Sequence, residues 1–409
     1  MRVLFASVDW TGHLYPMVPL ARALQEGGHE VRVLCSPRVA EAAAQAGLTP
    51  LPLLPSAGVG QARMSNYLLA REGRARVSGL PHVHPFTGRP MASLDEFDWE
   101  AFAKGAEALN SRWYARRRRT LEKLAADWRP DLVVHDLADL DGRVVADVAG
   151  VPAVAHLWGL VADAEDDVRR DYRPERLDGD FSRFGLRGTG AGIRHIIDPT
   201  PGSLAPPTRA TRLAARYVPY NGPGDMPDCI GEDRGRPQIC VVWGTSVTQI
   251  YGPGSFLVPR VVNAIRDLTG VEVVLAVTAD DAERVGALPP HIRLLPHTPL
   301  HRLLEHCRAV VHNGAAGSVM TALAAGVPQL TLAVSDEQYG NGARITEAGA
   351  GLVLDGPRCE PNALRTAVEQ LLTHTGLAHR AAELAAENRA RPEPAALVPR
   401  LEEIAAARR

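Results

Sequence analysis

Short apolar runs alternate with helical stripes along most of this chain. Arg2–Val8 is β-branched and apolar, and it breaks off at Asp9-Trp10-Thr11-Gly12-His13. From Pro16 to Gly27 the apolar positions 17, 18, 20, 21 and 24 mark one face of a helix, stopped by Gly27-Gly28. Val31–Leu34 predicts a second strand and Arg38–Ala46 a second helix, ended by Gly47. Residues 55–100 lose the periodicity and predict a long loop, while 101–128 recover a helical stripe at Leu109, Trp113, Leu121, Leu124 and Trp128. Asp131–Asp136 predicts a strand with a polar end, followed by a helix over 141–149, a strand at Val151–Ala155 and a mobile stretch to about 190. Strand–helix alternation of this kind predicts a parallel α/β sheet.

The pattern restarts after a Pro/Gly-dense stretch, 199–237, that predicts an interdomain linker. Gln238–Trp243 predicts a strand ending in Gly244-Thr245-Ser246. A helix at 256–268, strands at 271–277 and 292–295, a helix at 300–306 and a strand over 308–311 follow, and 395–409 is helical in pattern. At 409 residues, two domains are expected. The boundaries read from the pattern are 1–215 for a first domain, 216–237 for the linker, 238–390 for a second domain and 391–409 for a terminal helix.

The formal charge of −2 offers no general attraction to nucleic acid or to an anionic membrane. Arg116–Arg119 interrupt that neutrality, and a solvated helix face is the expectation for them. The five cysteines match no metal or redox spacing, so reduced thiols in the cytoplasm are expected. No apolar run has the length of a signal or a membrane span. No G-x-G-x-x-G follows the first strand, and Gly188-Thr-Gly-Ala-Gly192 has the wrong spacing for one and reads as a flexible loop.

His312-Asn-Gly-Ala-Ala-Gly-Ser318 is the stretch with most chemistry in it. A strand, a turn of small residues and a helix start aim several backbone N–H groups at one spot. The helix dipole adds positive charge there, which suits an anion such as a phosphate. In the first half, His13 and Asp136 stand at two strand ends of one sheet, where ligands of parallel sheets gather. An imidazole held by a carboxylate is fit to act as a general base, although each residue could equally cap the helix after it. Asp9 lies close enough in sequence to take the carboxylate's place.

Gly326-Val-Pro-Gln-Leu, Asp336-Glu-Gln-Tyr-Gly-Asn341 and Glu347-Ala-Gly-Ala-Gly351, together with the turn, resemble the nucleotide-sugar signature of glycosyltransferase family 1. The closest look is to bacterial enzymes that decorate polyketide and other antibiotic aglycones. Gly12-His13-Leu-Tyr-Pro16 and Tyr217-Val-Pro-Tyr-Asn-Gly222 resemble the same enzymes, and the likeness covers nearly the full length. It implies a GT-B fold: two Rossmann-like α/β domains, each with a parallel sheet, facing a cleft. The final helix would cross back to the first domain.

By the same resemblance, His312, Gly314, Ala316, Gly317 and Ser318, with Thr245 and Ser246, would hold the donor diphosphate. Glu337 and Gln338, or Asp336 in another register, would hold the sugar, and His297 with Thr298 the nucleobase. His13, with Asp136, would be the catalytic base. The donor would be a dTDP-deoxyhexose, with a UDP-sugar as the alternative, and the acceptor a hydrophobic aglycone lying against loops 56–100 and 160–190. No metal or other cofactor is expected, and a homodimer is left open. Asn313 and Glu337 depart from the family pattern, which usually has Gly and Asp at those places. A sugar-nucleotide 2-epimerase and a non-catalytic sugar-nucleotide-binding protein therefore stand as alternatives.

Overall fold

The computed structural model describes residues 1–74, 79–161, 193–225, 235–296 and 298–407. Val- and Ile-rich runs become strands because a pleated, buried surface suits branched side chains. The first half contributes β1 (Arg2–Ala6), β2 (Glu30–Leu34), β3 (Thr49–Leu51), a short hairpin of β4 (His82–Val83) and β5 (Pro90–Met91), then β6 (Leu132–Asp136), β7 (Ala153–His156), β8 (His195–Asp198) and β9 (Thr211–Ala214). Apart from the hairpin these form one parallel sheet, ordered β3-β2-β1-β6-β7-β8-β9. The second half contributes β10 (Gln238–Val242), β11 (Glu272–Ala276), β12 (Ile292–Leu294), β13 (Ala309–His312), β14 (Gln329–Ala333) and β15 (Gly351–Asp355). They make a second parallel sheet, β12-β11-β10-β13-β14-β15.

Both sheets reverse their winding at one point, between β1 and β6 in the first and between β10 and β13 in the second. Connections leave such a pair in opposite directions, which opens a crevice beyond the carboxyl ends of the two strands. His13 follows β1 and Asp136 ends β6, while Gly244 follows β10 and His312 ends β13. The fold thus puts one chemistry-bearing cluster at each crevice. This is the GT-B arrangement.

Each sheet has its own core. Val3, Phe5, Val33, Leu132 and Val134 pack in one cluster, and Ile239, Val241, Val273, Leu275, Val311 and Leu330 in another. The last helix, Val398–Ala406, joins the first cluster through Leu397, Leu401 and Ile404, although it follows the second sheet in sequence. Leu401 is fully buried there, so truncating it to Ala costs on the order of 2–5 kcal/mol.

Several expectations need correction. Residues 55–100 are not one loop. They hold a helix, Gly58–Arg71, and the β4–β5 hairpin, sealed by Tyr67, Leu68, Met91 and Phe97. The helix went unread because its buried positions crowd into its last turns, leaving no stripe to see. Its start is fixed from outside, with Asp9 accepting from the Gly58 N–H at 2.9 Å and from the Ser36 hydroxyl. Within the Pro/Gly-dense 199–237, Thr211–Ala214 is β9 and belongs to the first sheet. The 256–268 helix shortens to Val258–Ile265. Arg117 is no solvated arginine: its guanidinium pairs bidentately with the buried Asp141 and stacks over Trp113. Residues 162–192, which hold most of the predicted mobile stretch, the loop at 188–192 and nearly all of 160–190 on the acceptor side, lie outside the described residues.

Candidate active site

In the first crevice, a short helix, Thr11–Leu14, carries His13 over the end of β6. His13 Nδ1 and Asp136 Oδ2 are 2.5 Å apart, and Asp136 Oδ1 accepts from the Ala138 N–H at 2.7 Å. The carboxylate is 1% exposed and the imidazole 21%. Asp136 therefore holds Nδ1–H and leaves Nε2 as the open nitrogen of the ring. Burial alone would lower the His13 pKa; the charge of Asp136, its hydrogen bond and the charge of Glu337 outweigh burial and raise it. Asp9 is not available as a substitute carboxylate, because its oxygens serve Ser36 and Gly58.

Glu337 reaches this crevice from the other half. It lies in the first turn of the helix Asp336–Glu347, whose N-cap Ser335 accepts from the Gln338 N–H. Asp336 and Glu337 are half-buried. Gln338 is 7% exposed, and its Oε1 accepts from the Val334 N–H at 3.0 Å, which leaves its amide nitrogen as the donor for a ligand. Of the two acids, Glu337 is the one whose field acts on His13.

In the second crevice, the turn after β13 takes the conformation that its small residues permit. Gly314 has φ +85°, and a Cβ there would fall 2.7 Å from Thr331 Cγ2 and 2.8 Å from the Gln338 carbonyl oxygen. Its N–H donates to His312 Nδ1 at 2.9 Å and its carbonyl accepts from Asn341 at 3.0 Å. The helix Ala316–Ala325 starts immediately after, so the N–H groups of Ala316 and Gly317 have no intrahelical acceptor. Nothing lies within 4 Å of a Cβ built on Gly317, which leaves room beside those donors. Ser318 is half-buried one residue on. Gly244, Thr245 and Ser246 start the neighbouring helix, Thr245–Tyr251, at the end of β10.

The structure gives His312 a different part from the one expected. Its side chain is fully buried, with Nε2 donating to Gln329 at 2.8 Å and Nδ1 accepting from Gly314. Burial pushes its pKa down to about 4, so it is neutral and has no donor left for a diphosphate. It braces the turn instead. Asn313, beside it, is fully buried with neither amide atom partnered, and sits next to Gly244. Thr298 is likewise half-buried with an unpartnered hydroxyl. His297 lies outside the described residues.

The two crevices meet. A Cβ on Gly159, in the loop after β7, would fall 2.9 Å from Ala316 Cβ in the second half. Arg344 donates to the Leu160 carbonyl at 2.9 Å. The half-buried Tyr251 of the second half lies close to Ser335 and to Asn66 of the first half, and burial pushes its pKa up to about 12. Among the described residues, no group of three or more His, Cys, Asp or Glu is placed to hold a metal ion. A groove of about 390 Å³ between β15 and the helix Pro361–Thr373 shares no residue with either crevice.

Residues 22–244 match the N-terminal domain, and 260–404 the C-terminal domain, of the erythromycin biosynthesis protein CIII-like family. The chain is a family 1 glycosyltransferase of the antibiotic-decorating kind. This enzyme is 32% identical to the 10-deoxymethynolide desosaminyltransferase of Streptomyces venezuelae, across 100% of this chain and 98% of that one. It is 30% identical to the 3-alpha-mycarosylerythronolide B desosaminyl transferase of Saccharopolyspora erythraea, across 100% and 99%. The spinosyn rhamnosyltransferase SpnG, solved with thymidine diphosphate, superposes with a TM-score of 0.74 at 28% identity, over 98% of the enzyme and all of SpnG. Among the described residues of the enzyme, no helix is long and apolar enough to cross a membrane.

Three features of the enzyme leave no local mark in the chain: the Trp158 ring 4.3 Å from that of His13, the meeting of Asn66, Tyr251 and Ser335, and the internal partners of His312. Each depends on residues far apart in the chain.

Proposed function

We propose that the enzyme is an inverting transferase that moves a deoxyhexose from a dTDP-sugar to a hydroxyl of a polyketide or aromatic aglycone, with His13 as the base. The observation that carries this is the His13–Asp136 hydrogen bond at 2.5 Å, with Glu337 of the other half close enough to raise the same imidazole's pKa. A base for the acceptor thereby faces a residue suited to hold the donor's sugar. In this reading the acceptor oxygen bonds to the anomeric carbon as the bond from that carbon to the diphosphate oxygen breaks. The acceptor proton passes to His13 Nε2, and Asp136 stabilises the imidazolium. The bonding pair leaves with the diphosphate.

The leaving charge is met by the N–H groups of Ala316 and Gly317, the helix dipole, Ser318, Thr245 and Ser246. That supply makes a metal or other cofactor unnecessary. Asp336, Glu337 and Gln338 hold the sugar hydroxyls, Thr298 and His297 are assigned to the nucleobase, and Asn313 offers its amide to the donor. The dTDP donor is favoured because the solved SpnG and VinC complexes hold thymidine diphosphate. The relatives named as desosaminyl transferases favour an amino- or deoxysugar. His13→Ala is the test. Transfer should fall by about 100- to 10,000-fold, the usual share of a general base, with dTDP affinity unchanged. Transfer within threefold of wild type would remove His13 from the reaction.

A further inference from the structure

Trp158 sits where the two crevices join. It follows β7 in the first sheet, and its ring centroid is 4.3 Å from that of His13 with the planes tilted by 36°. It is 8% exposed and packs with Leu137, Val161 and Ile196 of its own half and with Ala316, the first helical residue after the phosphate-type turn. Gly159, next in sequence, presses on the same Ala316. One part of this packing is unfinished: the indole Nε1 is buried and has no hydrogen-bond partner among the described residues.

A buried N–H left unpaired costs on the order of 1–3 kcal/mol, so in a well-packed interior it calls for a partner beyond the described residues. A ring lying against the imidazole also removes its freedom to tilt. Asp136 fixes one end of His13 through Nδ1, and the Trp158 ring restrains its face. Together they leave Nε2 with one outlook. A group in van der Waals contact with that imidazole is within reach of the same oxygen that Nε2 would deprotonate.

We propose that Trp158 positions His13 toward the acceptor and that its indole N–H is taken up by an oxygen of the bound aglycone. The proposal rests on His13 being the base. Trp158 follows β7 of the first sheet and lies against His13, which assigns its N–H to the acceptor rather than to the donor nucleotide.

The test compares Trp158→Phe, which keeps a ring and loses the N–H, with Trp158→Leu, which loses both. Kinetics use a turned-over donor and 10-deoxymethynolide or aklavinone as acceptor probes. Trp158→Phe should raise the acceptor KM about tenfold with kcat within threefold, whereas Trp158→Leu should also lower kcat about tenfold or more. Affinity for dTDP should be unchanged in both. In wild type labelled with 15N-tryptophan, the indole signal that disappears in Trp158→Phe should shift with aglycone and stay in place with dTDP alone. Unchanged kcat and KM in both variants with only a lower Tm would reduce Trp158 to a core residue. An indole signal unmoved by saturating aglycone, or one moved by dTDP, would overturn the acceptor assignment. If His13→Ala retained transfer, the base itself would fail, and the indole shift would still report separately on the acceptor contact.

Discussion

His13 and His312 stand at equivalent places, each at the carboxyl end of a strand beside the switch point of its sheet, and they have been put to opposite uses. His13 keeps 21% of its side chain exposed, pairs with a carboxylate and has a raised pKa. His312 is sealed, pairs with a neutral amide and a backbone N–H, and is pushed down to about 4. Desolvation lowers both; at His13 the charge of Asp136, its hydrogen bond and the charge of Glu337 reverse the sign. Position at a strand end therefore does not make a histidine chemical. An open nitrogen and an anionic partner do. The second crevice draws its positive potential from backbone N–H groups, which stay fixed at any pH, while the first keeps a group that would change charge during each turnover of the proposed reaction.

The sharpest way to break the comparison is to truncate both. His13→Ala should cost transfer up to about four orders of magnitude with little loss of stability. His312→Ala should do the reverse at pH 7. It leaves Gln329 and the Gly314 N–H unpaired, a loss on the order of 1–3 kcal/mol in chemical denaturation, with weaker dTDP binding following from a looser turn. If His312→Ala proved as stable as wild type and lost only donor affinity, the imidazole would be a ligand after all.

The two histidines should also pull stability in opposite directions with pH. His312, like His135 and His156, has a folded pKa of about 4 against an ordinary 6.5. The unfolded chain takes up these protons first, so their contribution is intact above pH 6.5 and drains away as pH falls toward 4. By pH 4 that is about 3 kcal/mol for each. Denaturation of wild type and His312→Asn at pH 7 and pH 4.5 checks it: the gap between them should close as the pH falls. For His13 the sign is inverted. Its pairing contributes fully below pH 6.5 and is lost as pH rises through the raised folded value, so His13→Ala should destabilise more at pH 6 than at pH 9.

What could be read from the sequence follows the range of the interactions concerned. Two parallel sheets were legible because strand runs such as Arg2–Ala6 and Gln238–Val242 are local and apolar throughout. The His13–Asp136 contact was within reach because Asp136 ends one strand and His13 follows its neighbour in the same sheet, even though 123 residues separate them. The internal role of His312 was not, since its partner Gln329 is set by the register of β13 on β14, which no spacing rule supplies. The helix Gly58–Arg71 was missed because a carboxylate 49 residues upstream fixes its start and packing with distant residues creates its buried face. Trp158 falls in the stretch that the sequence marks as mobile, with nothing local to show the ring it would meet.

The smallest predicted effect is also the most specific to the first crevice. Asp136→Asn removes the charge that lifts His13 and keeps the shape of the pair. Burial then acts against Glu337 alone, so the His13 pKa must fall. In the proposed reaction transfer requires the neutral imidazole, so wild-type kcat should rise with pH through a value above 6.5, and in Asp136→Asn that limb should move to lower pH. The plateau should drop as well, because an amide can offer Nδ1–H a weaker acceptor and can turn to present its NH2, which frees the ring to rotate. A limb that stayed in place while the plateau fell would mean that Asp136 orients His13 without setting its charge. The contrast between the two histidines would then rest on geometry alone.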